Sequence, residues 1–239
     1  MDPTPATFPL GLHLLASASV ALGGLCAAAI AVDEWRRPQR MWIMNAVWPL
    51  TALFGSVLWL AAYGAWGRSA KSPAADARRP PFPAMVLKGS SHCGAGCTLG
   101  DIVAEWLAYA APVVALWFGW RHVFAEKTFA VWILDFLLAF LIGIAFQYWT
   151  IAPMRNLSLW RGIGAALKAD IASITAWQVG MYAMMALIQF AWFRPAFGGI
   201  APVASPEFWF AMQVAMLAGF ATSYPVNWLL IRAGWKEEM

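Results

Sequence analysis

Of the 239 residues, 62% are hydrophobic and only 12% are charged, far from the roughly 45–50% apolar and about 25% charged of soluble domains. The apolar residues run in long blocks without alternation, which excludes a β-barrel and predicts an all-α integral membrane bundle whose helices satisfy their own backbone groups. The formal charge of +4 comes from sixteen Lys and Arg scattered through the connections between blocks. That is the pattern of topological anchors, so the expected partner is a lipid bilayer and not nucleic acid.

The first span is expected at about Phe8 to Val32 and ends at Asp33-Glu34-Trp35-Arg36-Arg37. The residues before it carry no Lys or Arg and so lack the basic start of a cleaved secretory signal, which makes the block a retained span. His13, near its start, is expected in a structural or interfacial hydrogen bond, and Cys26 in packing. The second span, about Met41 to Trp66, contains Pro49, which predicts a kink there or a place where backbone carbonyls become free. Met41, Asn45 and Trp48 share one of its faces, with Met44 beside them.

Gly67 to Ser91, with Lys71, Pro73, Arg78, Arg79, Pro80, Pro81, Pro83 and Lys88, reads as one long hydrophilic loop. The third span is expected from Thr98, with Asp101 as its capping partner, to about Trp120. The fourth, about Thr128 to Ile151, contains Asp135. The fifth, about Leu157 to Phe193, would be roughly 55 Å long against a hydrocarbon core of about 30 Å, so its first half, Arg161 to Gln178, is expected as an interfacial extension. Ser205-Pro206-Glu207 opens the sixth in the order of N-cap, N1 proline and first-turn acid. It runs to about Arg232, interrupted by Pro225. Six spans in a single domain put both termini on one side, and the Lys and Arg balance assigns that side to the cytoplasm.

The chemistry is concentrated in His92-Cys93-Gly94-Ala95-Gly96-Cys97. One imidazole and two thiols within six positions suit Cu(I), Zn(II) or an iron–sulfur centre, and the Gly-Ala-Gly spacer would let the chain bend so that both sulfurs face one ion. With Cys97 just before a helix, Cys97, Asp101 and Glu105 follow at i, i+4 and i+8 on one face. His92, Cys93, Cys97, Asp101 and Glu105 are therefore the candidate metal ligands. A structural or redox-active thiol pair, or no special role, remains open for the same residues. Asp135 is costly inside a membrane unless paired or facing water. Asp170, Ser173, Trp177, Met181 and Met184 align on one helix face, and Met212, Met216, Gly219 and Ser223 on another. With Asp135 and Asp170 they could form a thioether and carboxylate path, although such methionine stripes also serve as adaptable packing. His13, His92 and His122 do not share a span, and no phosphate-binding loop, Ser-His-Asp order or H-E-x-x-H motif occurs. No catalytic motif argues for an enzyme.

Met41-Trp42-Ile43-Met44-Asn45-Ala46-Val47-Trp48-Pro49-Leu50-Thr51-Ala52-Leu53, the segment Ser91 to Asp101, Ala166-Leu167-Lys168-Ala169-Asp170 with Thr175-Ala176-Trp177, and Ser223-Tyr224-Pro225-Val226-Asn227-Trp228 together resemble a bacterial multi-pass membrane family. It is the domain-of-unknown-function family four-three-nine-six, and the resemblance spans about Ala31 to Glu237. It implies a bacterial inner-membrane protein and brings no activity and no site residues. Three functions are expected from the residues: handling of a soft metal ion such as Cu(I), a non-catalytic subunit or assembly factor binding other membrane subunits, or a membrane dithiol redox protein.

Overall fold

The computed structural model describes residues 6–69 and 80–237, and of 152–155 the backbone alone. Lys71, Pro73, Arg78 and Arg79 of the hydrophilic connection lie outside them. The described chain forms α1 (Leu10–Arg36), α2 (Met44–Ala62, continued by a π turn Tyr63–Gly67), α3 (Phe82–Ala110), a short α4 (Val113–Trp117) and α5 (Lys127–Arg155). It continues with α6 (Leu159–Ala186, prolonged by a π stretch Leu187–Phe193 and a last turn Arg194–Phe197) and α7 (Pro206–Arg232). No strand occurs among the described residues. Five stretches are long and apolar enough to cross a membrane: α1, Met44–Gly67, the Lys127–Ile151 part of α5, α6 with its extension, and α7. The protein is a membrane protein built of helices.

Contacts between helix ends fix their directions. The His13 imidazole lies 2.7 Å from Glu207, and Ser19 donates to Gln213 at 2.7 Å, so the starts of α1 and α7 share one face of the bundle, called here the upper face. At the opposite, lower face Phe82 packs edge-on against Trp228, and the Tyr224 hydroxyl donates to the Pro83 carbonyl at 3.1 Å, so α3 starts where α7 ends. α3 runs up and α5 runs down beside it, with the Lys127 ammonium on the Ala108 carbonyl at 2.6 Å. The α3–α5 seam is made of small residues. A Cβ added to Gly96 would lie 2.7 Å from Gly143 Cα, and one added to Gly100 would lie 2.5 Å from the Ala139 nitrogen. Glycine is required here because two backbones touch.

The second apolar block does not run straight. Trp48 and Tyr63 stand 15 positions apart, which would separate them by about 22 Å on a continuous helix, yet their ring centroids are 5.7 Å apart. Gly67 lies against the Trp48 indole, the Gln39 amide donates to the Gly67 carbonyl at 2.9 Å, and Arg68 pairs with Asp33 at 2.7 Å. Both ends of the block therefore sit at the lower face, beside the end of α1. The chain reverses at Ser56, whose φ of 45° and ψ of −128° match the first central position of a type II′ turn, a conformation that glycine adopts without strain. Breaking a helix frees carbonyls, and the one at Leu53 is taken by the Gln213 amide at 2.7 Å. One side of the tip packs into the bundle, where Phe54 meets Trp177 and the Trp59 indole donates to Ser91 at 2.9 Å, while Val57 and Leu58 on its other side are exposed. Ser56→Gly is expected to raise the midpoint of thermal unfolding in detergent, by about 1 kcal/mol in stability, and Ser56→Val to lower it. A destabilised glycine variant would show that the serine side chain, not its backbone angle, holds the turn.

Several sequence expectations are corrected by these elements. The kink falls at Ser56 rather than Pro49, which sits inside regular helix, and Pro225 leaves α7 continuous. The third helix begins at Phe82, not Thr98, because Pro81-Phe82-Pro83 starts a helix rather than a linker, with proline in the first turn where no N–H is needed. Thr98 is consequently mid-helix, donating to the Gly94 carbonyl at 2.6 Å, and caps nothing. The same helix stops at Ala110, ahead of Pro112, instead of reaching Trp120. The fifth apolar segment is over-long as expected, but its first half is packed into the bundle, with Asp170, Ser173, Trp177 and Gln178 buried. The Ser205 cap is present, accepting from the Phe208 amide at 3.3 Å.

Candidate functional site

α3 carries the site, and its burial explains why it lacks the apolarity of a membrane-crossing helix. Every residue from Gly89 to Thr98 is buried, as are Asp101, Ala104 and Glu105. A helix enclosed by other helices needs no greasy face, and polar residues within it can face one another. Cys93, Cys97, Asp101 and Glu105 recur every four positions along one face, so the stripe expected from Cys97 onward extends one turn further down. Twelve residues of helix make it about 18 Å long.

At its lower end the stripe meets α6, α7 and the residues after α7. The Cys93 sulfur lies 3.0 Å from Asp170 Oδ1 and 3.0 Å from the Ser173 hydroxyl. The Asn227 amide donates to Ser173 at 2.6 Å. The Lys236 ammonium donates to Asp170 Oδ1 at 2.6 Å and to the Cys93 sulfur at 2.8 Å, with no exposed side-chain surface on Lys236 or Asp170. Burial opposes charge on that lysine, but Asp170 and the Cys93 sulfur outweigh it and hold its pKa above the ordinary lysine value. Lys236, which the sequence assigns to the topological anchors, is the site residue that sequence reasoning misses. A single lysine close to the chain's end carries no pattern that could mark it.

Midway, Asp101 Oδ1 accepts a 3.3 Å hydrogen bond from the Gln178 amide, while its Oδ2, the Gln178 carbonyl oxygen and both oxygens of Asp135 are buried with no partner. Asp135 comes from α5 one turn above the Gly100–Ala139 contact, which sets it level with Ala104, between Asp101 and Glu105. Alongside, His92 Nε2 lies 2.9 Å from Thr150, and its Nδ1 and both ends of the Gln147 amide are buried without a partner. At the upper end Glu105 lines a cavity of about 1040 Å³, together with Tyr109, Trp120, Arg121, Glu126, Lys127, Gln189 and Phe208. A polar ladder thus runs from Lys236 at the lower face to an open vestibule at the upper face.

The ladder gathers Cys93, Cys97, Asp101, Glu105, Asp135 and Asp170. His92, one position from Cys93, points about 100° around the helix and turns to α5. The Gly-Ala-Gly segment is regular helix rather than a bend, so it does not close the two thiols and the imidazole on one point. Among the described residues no three His, Cys, Asp or Glu side chains surround a metal-sized space, and Cys26, Cys93 and Cys97 are free thiols. Met181, Met212 and Met216 are buried in the apolar core with Met184 packed against it, and the Met216 sulfur accepts a 3.4 Å hydrogen bond from the Trp177 indole. His13 pairs with Glu207 as a structural hydrogen bond, away from the ladder.

No curated protein and no solved structure matches the chain. The sequence model of DUF4396, a domain of unknown function, matches residues 84–236. That stretch holds the whole ladder, from α3 to Lys236, and leaves out α1 and the hairpin that α2 and its π turn (Met44–Gly67) make about Ser56, with the Met41–Leu53 segment of the resemblance. With more than half of its residues matched, the chain belongs to the DUF4396 family.

Proposed function

We propose that the protein is a bacterial inner-membrane protein that passes protons along the α3 ladder. The observation that carries this reading is the set of orphan acceptors: Asp101 Oδ2, the Gln178 carbonyl and both Asp135 oxygens are buried with no donor. An ionised carboxylate in such a place is costly, whereas a protonated one becomes a donor to its neighbour. Carboxyls that hold and exchange protons deep in a helix bundle are the common basis of proton relays. The vestibule at Glu105 supplies access from the upper face.

Five crossings by α1, α3, α5, α6 and α7, with the hairpin dipping from the lower face, suit the charge distribution. Arg36, Arg37, Arg40, Arg68, Lys88, Arg161 and Arg232 fall near the lower face, against Arg121, Lys127 and Arg194 at the upper. The positive-inside rule then makes the lower face cytoplasmic, with the start of α1 outside and the end of α7 inside, in place of six spans with both termini inside. Single cysteines introduced at Gln39 and at Ser69 in a cysteine-free background are expected to react with an impermeant maleimide from the same side. Reaction from opposite sides would show a straight crossing.

The direct test is reconstitution into vesicles with an internal pH-sensitive dye and an imposed potential. Dye response above that of empty vesicles supports proton passage. The soft-ion reading is the rival, and the Lys236 ammonium seated on Cys93 opposes it by repelling a cation. Copper bound stoichiometrically to the purified protein and lost in Cys93→Ser, without proton movement, would favour that rival.

A further inference from the structure

The residues after α7 turn back into the bundle. Gly234 adopts a left-handed φ of 68°, its N–H donates to the Ile231 carbonyl at 3.0 Å, and the Trp235 N–H donates to the Leu230 carbonyl at 3.0 Å. This helix-terminating turn directs the Lys236 side chain along Gly89 of α3, where an added Cβ would lie 3.7 Å from Lys236 Cε, an ordinary packing distance. Trp235 is held against Lys168, whose ammonium sits 4.7 Å from the indole centroid. Asp170, which holds the ammonium, and Asn227, joined to the cluster through Ser173, each keep a buried acceptor with no partner, Oδ2 and Oδ1. A carboxylate and a sulfur around a positive charge, in a cluster with spare oxygens, make a site for a small cation, and the chain fills it with its own.

We propose that Lys236 is a tethered cation that plugs the lower end of the ladder, and that withdrawing the arm Ala233–Lys236 opens a seat for a small ammonium-like cation between Asp170 and Cys93. What the plug controls rests on the proton-path reading. The seat itself does not.

Accessibility of Cys93 tests the plug without any measurement of flux. Cys26→Ala with Cys97→Ala leaves Cys93 as the single thiol of the full chain, since the protein has three cysteines. Reaction with the cationic reagent aminoethyl methanethiosulfonate is expected to be slow with Lys236 present. It should be at least tenfold faster in Lys236→Met and slowed again by methylammonium in that variant alone. Because Lys236→Met leaves Asp170 without its cation, the neutral pair Asp170→Asn with Lys236→Met is run beside it. That pair should label fast with no protection by methylammonium. Equal labelling with and without Lys236 in both backgrounds overturns the plug, and the proton path stands if vesicles still acidify. Fast labelling on loss of Lys236 supports the plug, and silent vesicles in every variant then remove the proton path alone.

Discussion

Vesicles carrying Asp101→Asn are expected to lose proton passage by on the order of tenfold or more, the scale on which removing a proton-transferring group acts. Asparagine keeps the shape of the side chain and can still pair with the Gln178 amide that now donates to Asp101 at 3.3 Å, so the fold should survive. What asparagine cannot do is bind and release a proton. Asp135→Asn should have the same effect, because Asp135 sits between Asp101 and Glu105 with both oxygens unpartnered. Asp101→Glu should retain part of the rate. Unaltered elution from a sizing column separates lost transfer from lost folding, and Met181→Leu, a nearly volume-conserving change in the apolar core, serves as the control. A normal rate in both asparagine variants would remove the acidic ladder from any proton path.

The largest structural effect is expected at Gly100. Its added Cβ would stand 2.5 Å from the Ala139 nitrogen and 2.6 Å from its Cα, and backbone cannot swing aside as a flexible side chain can. Gly100→Leu therefore forces α3 and α5 apart, at a cost of roughly 3 kcal/mol or more. That corresponds to a fall on the order of 6–12 °C in the unfolding midpoint in detergent. Gly24→Ala is the contrast. Nothing lies within 4 Å of the position its Cβ would take, and alanine in mid-helix is favoured over glycine, so the midpoint should hold or rise. Equal effects of the two changes would show that the α3–α5 seam is not a close contact.

Apolar blocks announced the helices correctly, because the need for a lipid-facing surface is written residue by residue into α1, α5, α6 and α7. Ser205-Pro206-Glu207 was legible for the same local reason. α3 was read late because its first half, rich in Gly, Ser and Cys, has the composition of a loop. Those small residues are there for contact with neighbouring helices, which one sequence does not display. The reversal at Ser56 was hidden because hydropathy is blind to a backbone angle, and because Pro49 offered a more visible explanation for a bend. Within the site, Asp101 and Glu105 were found by helical spacing from Cys97. The joining of Asp170 to Cys93, and of both to Lys236, links positions 66 to 143 apart in sequence, where periodicity has nothing to say.

The reversal at Ser56 also constrains the order of events during synthesis. The amide that occupies the Leu53 carbonyl belongs to Gln213, 160 residues later in the chain, and Trp177, against which the tip rests, is likewise made long after it. A nascent chain holding only α1 and the second block has no internal partner for the broken turn, and unsatisfied backbone is poorly tolerated in hydrocarbon. Docking of the tip must therefore be a late step, following release of α6 and α7 from the ribosome, and chains halted before Gln213 should hold this block in a different position from the finished protein.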